Sequence, residues 1–573
     1  MKRFWPQIVV IVLSILAFRT LIGSGYFNMH DDLQMMRQLE MEKCFKDLQI
    51  PCRWVPDMGF GYGFPLFNYY PPLPYLTGEV VRIFGFSFVD TVKILFALGF
   101  VASGLAMYFL AREFFGELGA VLASAFYIWA PYHSVDVFVR GAMNESWALI
   151  WFPAILLFSY KLITNKKSSL SANYYLLIAL SLSWTGLLLS HNLMVMIFTP
   201  VFAVWCLILL IKVKSFNKIP QLLVSGIFAF GLAAFFTLPV FLEQNLVHTD
   251  TLIAGYYEYT AHFATIKQLL FSRFWGYGPS IWGDKDGMSF QVGQMHWILS
   301  FVTLSLFAIK IVKSKNKKIE IKNSILVIFF IMVGIFAIFM THNKSTPLWV
   351  RFTLIKFVQF PWRFLTLVIL SFSFAIGSLV TFFKNKKTKY IVVGGLIFTL
   401  VAFNWTYFEV QNGKLGPLTD QQKFSGTAWE LQRTAGIYDY LPKSARFNPR
   451  DGQMGIAEVL KGKADIKNPL EATNHQEFTV IASESSVIRI NTYFYPSWKV
   501  FVDGKETKIE VPEGEEWGRM YITVSKGTHD ITARLYNTWP RTVGNIISLV
   551  SWAILGFVML KSSRWQISTK RST

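Results

Sequence analysis

The chain has 573 residues, 53% hydrophobic and only 16% charged; soluble globular chains carry about a quarter charged residues, so the ordinary soluble classes are excluded. Its 55 Lys and Arg against 35 Asp and Glu give a net charge of +20, and the position of those cations decides what they mean. The excess of cations lies in short connections between apolar runs, which argues for a membrane protein and against a nucleic-acid surface.

Apolar runs of about 17 to 22 residues, each long enough to cross a bilayer as a helix, recur about twelve times. They fall at 6–22, 89–110, 117–131, 145–161, 173–190, 193–211, 220–241, 296–312, 324–341, 364–383, 390–408 and 542–560. The first follows Lys2 and Arg3, carries Arg19 near its far end and lacks a small-x-small cleavage site, so it reads as a retained span rather than a signal peptide. Every second connection is short and basic: Arg112; Lys161, Lys166 and Lys167; Lys212, Lys214 and Lys218; the run 310–322; 384–389; and the tail 561–571. The positive-inside rule puts these and both termini in the cytoplasm of a multi-pass cell-membrane protein. The connections 23–88, 131–145, 242–295, 342–363 and 409–541 then face outward. All nine histidines lie at or beyond that face, but most non-membrane residues do too, so the count carries nothing.

The first outer loop opens with His30-Asp31-Asp32 a few residues past the membrane edge. Two adjacent carboxylates beside a histidine can hold a divalent ion such as Mg or Mn, or act as a base; they can equally cap the helix expected over 33–48. Cys44 and Cys52 share this loop and can pair in an oxidising compartment, whereas Cys206 lies in a span as packing. The loop continues through Trp54, Tyr62 and Tyr69 in a Gly, Tyr and Pro-rich stretch, which reads either as an interfacial aromatic belt or as a stacking surface for a sugar.

The second outer loop brings Asp136, Arg140 and Glu145 to the start of an apolar helix, where charges are costly unless paired or functional. At 190–192 a Ser-His-Asn sequence breaks a long apolar stretch, so His191 and Asn192 form a tight outer turn. The loop 242–295, with Glu243, His248, Asp250, Arg273, Asp284, Asp286 and several aromatics, is too long for a passive connection and reads as a binding or lid element. Arg363 opens the span after 359–362, with Arg351 shortly before it, and arginine is well suited to holding a phosphate. Snorkelling to the interface is the simpler role for Arg363.

Past 408 the period changes. Residues 409–475 read as polar and irregular, and from about 476 short β-rich segments at 478–483, 487–494, 499–502, 507–511, 520–525 and 529–535, with turns at Asp503-Gly504 and Lys526-Gly527, predict a small antiparallel sandwich. The expected organisation is a transmembrane domain over 1–408, an extracytoplasmic domain over 409–541, and a last span with a basic tail over 542–573.

Five stretches in order, HDDLQMMR (30–37) with PCRWVPDMGFGYGFPLFNYYPPLPY (51–75), PYHSVDVFVRGAMNE (131–145), LLLSHN (187–192), QFPWRFL (359–365) and YLPK (440–443), together resemble the multispanning "6-pyruvoyl-tetrahydropterin synthase-related" membrane proteins. YPSWKVFVDGK (495–505) and GTHDITARLY (527–536) resemble the ectodomain of YfhO-type bacterial membrane proteins. The resemblance implies a C-type glycosyltransferase (GT-C) architecture: a polytopic helical enzyme that takes sugar from a polyprenyl-phosphate-linked donor to a glycan or lipid acceptor of the cell envelope, on the outer face. It implies Asp31, with Asp32, and Asp136 or Glu145 as catalytic or metal-binding acids. Arg140, Arg351 and Arg363 are the phosphate-binding candidates, and His30, Trp54, Tyr62, Tyr69, His191 and Asn192 the substrate-binding ones. The second loop has no Asp-x-Asp of the kind some metal-dependent members carry. A transporter or flippase of a lipid-linked saccharide and a noncatalytic scaffold displaying the sandwich are the alternatives; convergence of the outer-loop acids discriminates between them.

Overall fold

The computed structural model describes residues 4–166, 170–283, 285–436 and 439–570, with side chains described except at 170–172 and 561–570. Lys2, Arg3, Lys167, Asp284 and Arg571 lie outside what is described, as do the side chains of Lys561, Arg564 and Lys570. Among the described residues nine helices are long and apolar enough to cross a bilayer, and the bent pair Phe216–Leu232 and Ala234–Leu242, turned by 84°, makes a further crossing if counted as one. The first of the nine, Phe88–Ile128, is two helices joined at Gly116, whose φ of +69° breaks the helical path. The predicted spans 89–110 and 117–131 therefore share it. The predicted first span is the shorter helix Trp5–Ala17 followed by a 3-10 turn over Arg19–Leu21.

Local chemistry sets the helix starts. The Ser87 side chain accepts from the Asp90 backbone N–H at 3.0 Å, and the Asp420 carboxylate takes the N–H groups of Phe88 and Val89 at 2.8 and 3.0 Å, so the positive end of this helix meets a carboxylate from the far end of the chain. Asn316 and Asn385 cap the helices that follow two of the basic connections. On that face Lys161 pairs with Glu113 and Lys310 with Glu320.

The opposite face carries the β-rich domain, built from β1 (Ala457–Lys461), β2 (Ala464–Ala472), β3 (His475–Ala482), β4 (Ser486–Tyr493), β5 (Trp498–Val502), β6 (Lys505–Thr507), β7 (Arg519–Val524) and β8 (Gly527–Leu535). Two sheets form, β1-β4-β7 and β2-β3-β8-β5-β6, with every pairing antiparallel. Alternation places Phe478, Val480 and Ala482 of β3 and Ile488 and Ile490 of β4 inside. Asp503 and Gly504 both take positive φ, 50° and 77°, as a two-residue hairpin between β5 and β6 requires. The sheet starts earlier than the sequence pattern indicates, because β1 and β2 are edge strands. β2 is largely exposed, contains Pro469 and is interrupted by an irregularity between Lys467 and Leu470, so it shows no apolar alternation. Of the segment 507–511, read as a strand, Thr507 ends β6 and the remainder makes a single bridge, from Glu510 to Tyr521. Before the strands, the stretch expected to be irregular holds two short helices, Asp420–Lys423 with a Thr419/Gln422 capping box and Gly426–Thr434.

The first loop and the β-rich domain share one hydrophobic core. Met36, Trp54, Tyr62, Phe64 and Tyr75 pack in the same cluster as Phe478, Ile490, Tyr493, Tyr495, Trp498 and Met520, apart from the main core of the membrane helices. Within the loop, a disulfide joins Cys44 to Cys52, linking helix Gln34–Lys46 to the chain that follows it. Cys206 is a buried free thiol.

Candidate active site

The predicted acids are brought to the loop-rich face by different elements, and each answers a cation. Asp31 follows the first span; its backbone N–H donates to the Arg140 carbonyl at 2.9 Å and that of His30 to the Val139 carbonyl at 3.0 Å, which staples the first loop to the second. The Asp31 carboxylate accepts from Arg37 at 2.7 Å and from the Gln34 side chain at 3.0 Å. Helical spacing explains this: Gln34 and Arg37 lie on successive turns of helix Gln34–Lys46 and face back over its start. The N-cap of that helix is Leu33, without a side-chain capping bond, so the acids do not serve as its cap. Arg37 is buried and stacks on the Tyr70 ring, 4.3 Å from its centroid. Asp32 turns elsewhere, to Lys423 at 2.5 Å.

The second loop forms a π-helical turn over Val135–Val139 between a short helix and the span Met143–Thr164, a distortion that re-aims side chains. Arg140 is ion-paired to Asp136 and, at 2.9 Å, to Glu145, and lies 4.4 Å from the Trp362 ring centroid. Glu145 also accepts from Tyr132 Oη at 2.7 Å and from Arg363 Nε at 3.2 Å. Arg363 is turned into the cluster rather than out along the interface: its Nη1 donates to the Val358 carbonyl and to Gln359, while its Nη2 has no acceptor among the described residues. Arg140 thus holds Asp136 and Glu145 at once, and Arg140 and Arg363 together balance two buried acids, as buried charge demands.

His191 is the N-cap of Asn192–Val213, its Nδ1 accepting from Leu193 N–H at 3.2 Å. Burial and the nearby Arg363 charge depress its pKa to about 3, so the ring is neutral at any working pH. Asn192 donates to the Tyr69 carbonyl at 3.4 Å. His30 is exposed, with Nε2 3.0 Å from the Tyr277 carbonyl.

The YLPK motif completes the site through its neighbour. Asp439 accepts from Tyr257 Oη at 3.2 Å and shares its electrostatic surroundings with Arg37, Asp31 and Arg363. Tyr257 belongs to the long loop 242–295, which Gln359 also holds through the Leu252 carbonyl. Tyr440 stacks on Tyr69 with centroids 5.4 Å apart. Asp31, His191, Tyr257, Arg363, Asp439 and Tyr440 all retain part of their surface, so the cluster opens to solvent.

Three candidates do not join it. Trp54 is buried against Tyr495 and Trp498, and Tyr62 against Tyr493 and Trp517; both are spent on the joint core. Arg351 is exposed at the end of helix Thr346–Arg351 and makes no ion pair with the cluster acids. The donor set does not fit a shared metal at Asp31 and Asp32, since each has its own cation and no group of three or more His, Cys, Asp and Glu suited to a metal occurs among the described residues. Arg37, Tyr132, Tyr257 and Asp439 were missed. Arg37 closes the HDDLQMMR stretch and Asp439 directly precedes YLPK, so both lay beside signals already noted; nothing in the sequence marked Tyr257.

No family model and no curated protein matches the chain. Among solved structures it is similar to the mycobacterial arabinofuranosyltransferase AftD, with 12% identity and a TM-score of 0.44 over 72% of this chain and 27% of that one. It is also similar to ArnT from Cupriavidus metallidurans: bound to undecaprenyl phosphate, 12% identity and a TM-score of 0.39 over 69% of this chain and 64% of ArnT; in the apo state, 13% and 0.35, over 69% and 62%. The chain thus spans about a quarter of AftD and less than two thirds of ArnT. Likenesses at this level place it in no family.

Proposed function

We propose that the protein is an integral membrane glycosyltransferase that moves a sugar from a polyprenyl-phosphate-linked donor to a hydroxyl of a cell-envelope glycan or lipid, on the extracytoplasmic face. The observation that carries this reading is the meeting of all five stretches that resemble the 6-pyruvoyl-tetrahydropterin synthase-related proteins around an open carboxylate, Asp31, whose side chain is 34% exposed, beside the partly uncommitted fork of Arg363. Transfer needs both kinds of group. The acceptor hydroxyl loses its proton to a carboxylate as its oxygen bonds the anomeric carbon. The bond from that carbon to the phosphate oxygen breaks, with the electron pair leaving on the phosphate. A guanidinium stabilises the departing charge.

The depth supports a lipid-borne donor. Glu145, Asn192 and Arg363 each stand in the first turn of a span, the level at which the phosphate of a membrane-anchored donor lies. A transporter needs a path through the bilayer, whereas these groups gather at span ends on one face. The basic connections, gathered on the opposite face, support an extracytoplasmic orientation for this one.

The test is transfer of labelled sugar from polyprenyl-phosphate donors in membranes carrying wild type or Asp31→Asn, with and without EDTA. The substitution is expected to lower transfer about 100-fold or more; full activity in a well-expressed variant overturns the role of Asp31, and wild type that transfers no sugar overturns the reading itself.

A further inference from the structure

We propose that Asp439, carried by the segment that leads into the β-rich domain, is a second working carboxylate of this site and the group that receives the acceptor's proton. The inference rests on the glycosyltransferase reading and deepens it by naming where the proton goes. Asp31 is held at 2.7 Å by Arg37 and again by Gln34, an arrangement that fixes it in place. Asp439 is held more lightly: one oxygen accepts from Tyr257 at 3.2 Å, and the other has no donor among the described residues. It keeps part of its surface, so a hydroxyl entering from the open side can reach it.

The surroundings suit the role. Burial raises the Asp439 pKa to about 6 and the Asp31 charge adds to the rise, against the pull of Arg37, Arg363 and the Tyr257 hydrogen bond; Tyr440 is the neighbouring phenol. A carboxylate that titrates just below neutrality is ionised when needed and basic enough to take a proton. In the step, the acceptor O–H proton passes to Asp439 as the acceptor oxygen bonds the anomeric carbon, and the phosphate departs with the bonding pair. Asp31 then acts by occupying Arg37; without it Arg37 turns to Asp439 and lowers its basicity.

The experiment is the pH profile of transfer from a polyprenyl-phosphate sugar, in wild type, Asp439→Asn and Tyr257→Phe, with infrared titration of protonated carboxyl groups in the same purified proteins. Wild type is expected to show an acid limb near pH 6, Asp439→Asn to lose transfer about 100-fold or more together with the carboxyl signal titrating there. Tyr257→Phe removes a hydrogen bond to the ionised form, so it is expected to move the limb to higher pH while the protein stays folded, a displacement that a purely structural role does not produce. An active Asp439→Asn, or a limb unmoved in Tyr257→Phe, overturns the proposal alone. Wild type that transfers no sugar overturns the glycosyltransferase reading and the proton's role with it, even where the infrared signal belongs to Asp439.

Discussion

Arg140 concentrates the electrostatics of the second loop in one side chain: its guanidinium pairs with Asp136 and Glu145, both buried, and stands over Trp362. Removing one partner of a buried pair leaves charge uncompensated, at about 3–5 kcal/mol. Arg140→Ala is therefore expected to lower the thermal unfolding midpoint sharply in detergent, and Arg140→Lys to recover little of it, since an ammonium does not reproduce the fork. His191 gives a prediction in pH. Its pKa is depressed from 6.5 to about 3, so the unfolded chain binds the proton more readily than the folded one, and this group's contribution to stability is full above pH 6.5 and lost as pH falls toward 3. His191→Asn keeps an oxygen for the N-cap and is expected to flatten the pH dependence of the unfolding midpoint over that window; an unchanged slope would show the ring is not the titrating group. At this scale the sequence indicated which residues were costly where they stood, as with Arg140 and Glu145 at the head of an apolar helix. It could not indicate partners supplied from afar, because the Tyr257 to Asp439 bond joins positions 182 residues apart.

The elements were legible in proportion to how much one face of each is buried. Helices such as Lys317–Thr341 and Pro361–Phe382 declare themselves by length and apolarity, and β3 and β4 by alternation. Edge strands β1 and β2 and the two short helices before them escape such reading, having too little buried surface to impose a period. The irregular part of the first loop, 47–66, is organised by cross-links instead: the Cys44–Cys52 disulfide and, beside it, Gln49 Oε1 accepting from the N–H groups of Arg53 and Trp54 at 2.9 Å. Replacing both cysteines with serine is expected to cost on the order of 2 kcal/mol, read as a lower unfolding midpoint and as faster proteolysis of this loop. Equal midpoints under reducing and oxidising conditions would argue against such a contribution.

At the scale of the molecule, the charge pattern makes a claim about orientation that labelling can check. Met454 is 99% exposed beside the strands, and Ser314 lies in a basic connection between the helices Gln294–Lys313 and Lys317–Thr341. With the buried Cys206 as the remaining free thiol, Met454→Cys is expected to react with a membrane-impermeant maleimide in intact cells, and Ser314→Cys only after lysis. The reverse pattern would place the candidate site in the cytoplasm.

The buried link between Glu243 and Arg541 has a consequence for how the protein is made. Glu243 accepts from Arg541 at 2.9 Å and from Asn68 at 2.9 Å, and Arg53 reaches Asn545 at 2.8 Å, so the last helix neutralises and fixes the wall behind the first loop. Synthesis delivers that helix after every candidate residue of the site. A nascent chain that already contains every candidate residue of the site still holds Glu243 without its arginine, and the first loop without its anchor. The wall behind the first loop is therefore closed only once the helix beginning at Trp539 has been made, so assembly of this face waits on a segment that contributes no candidate residue of its own.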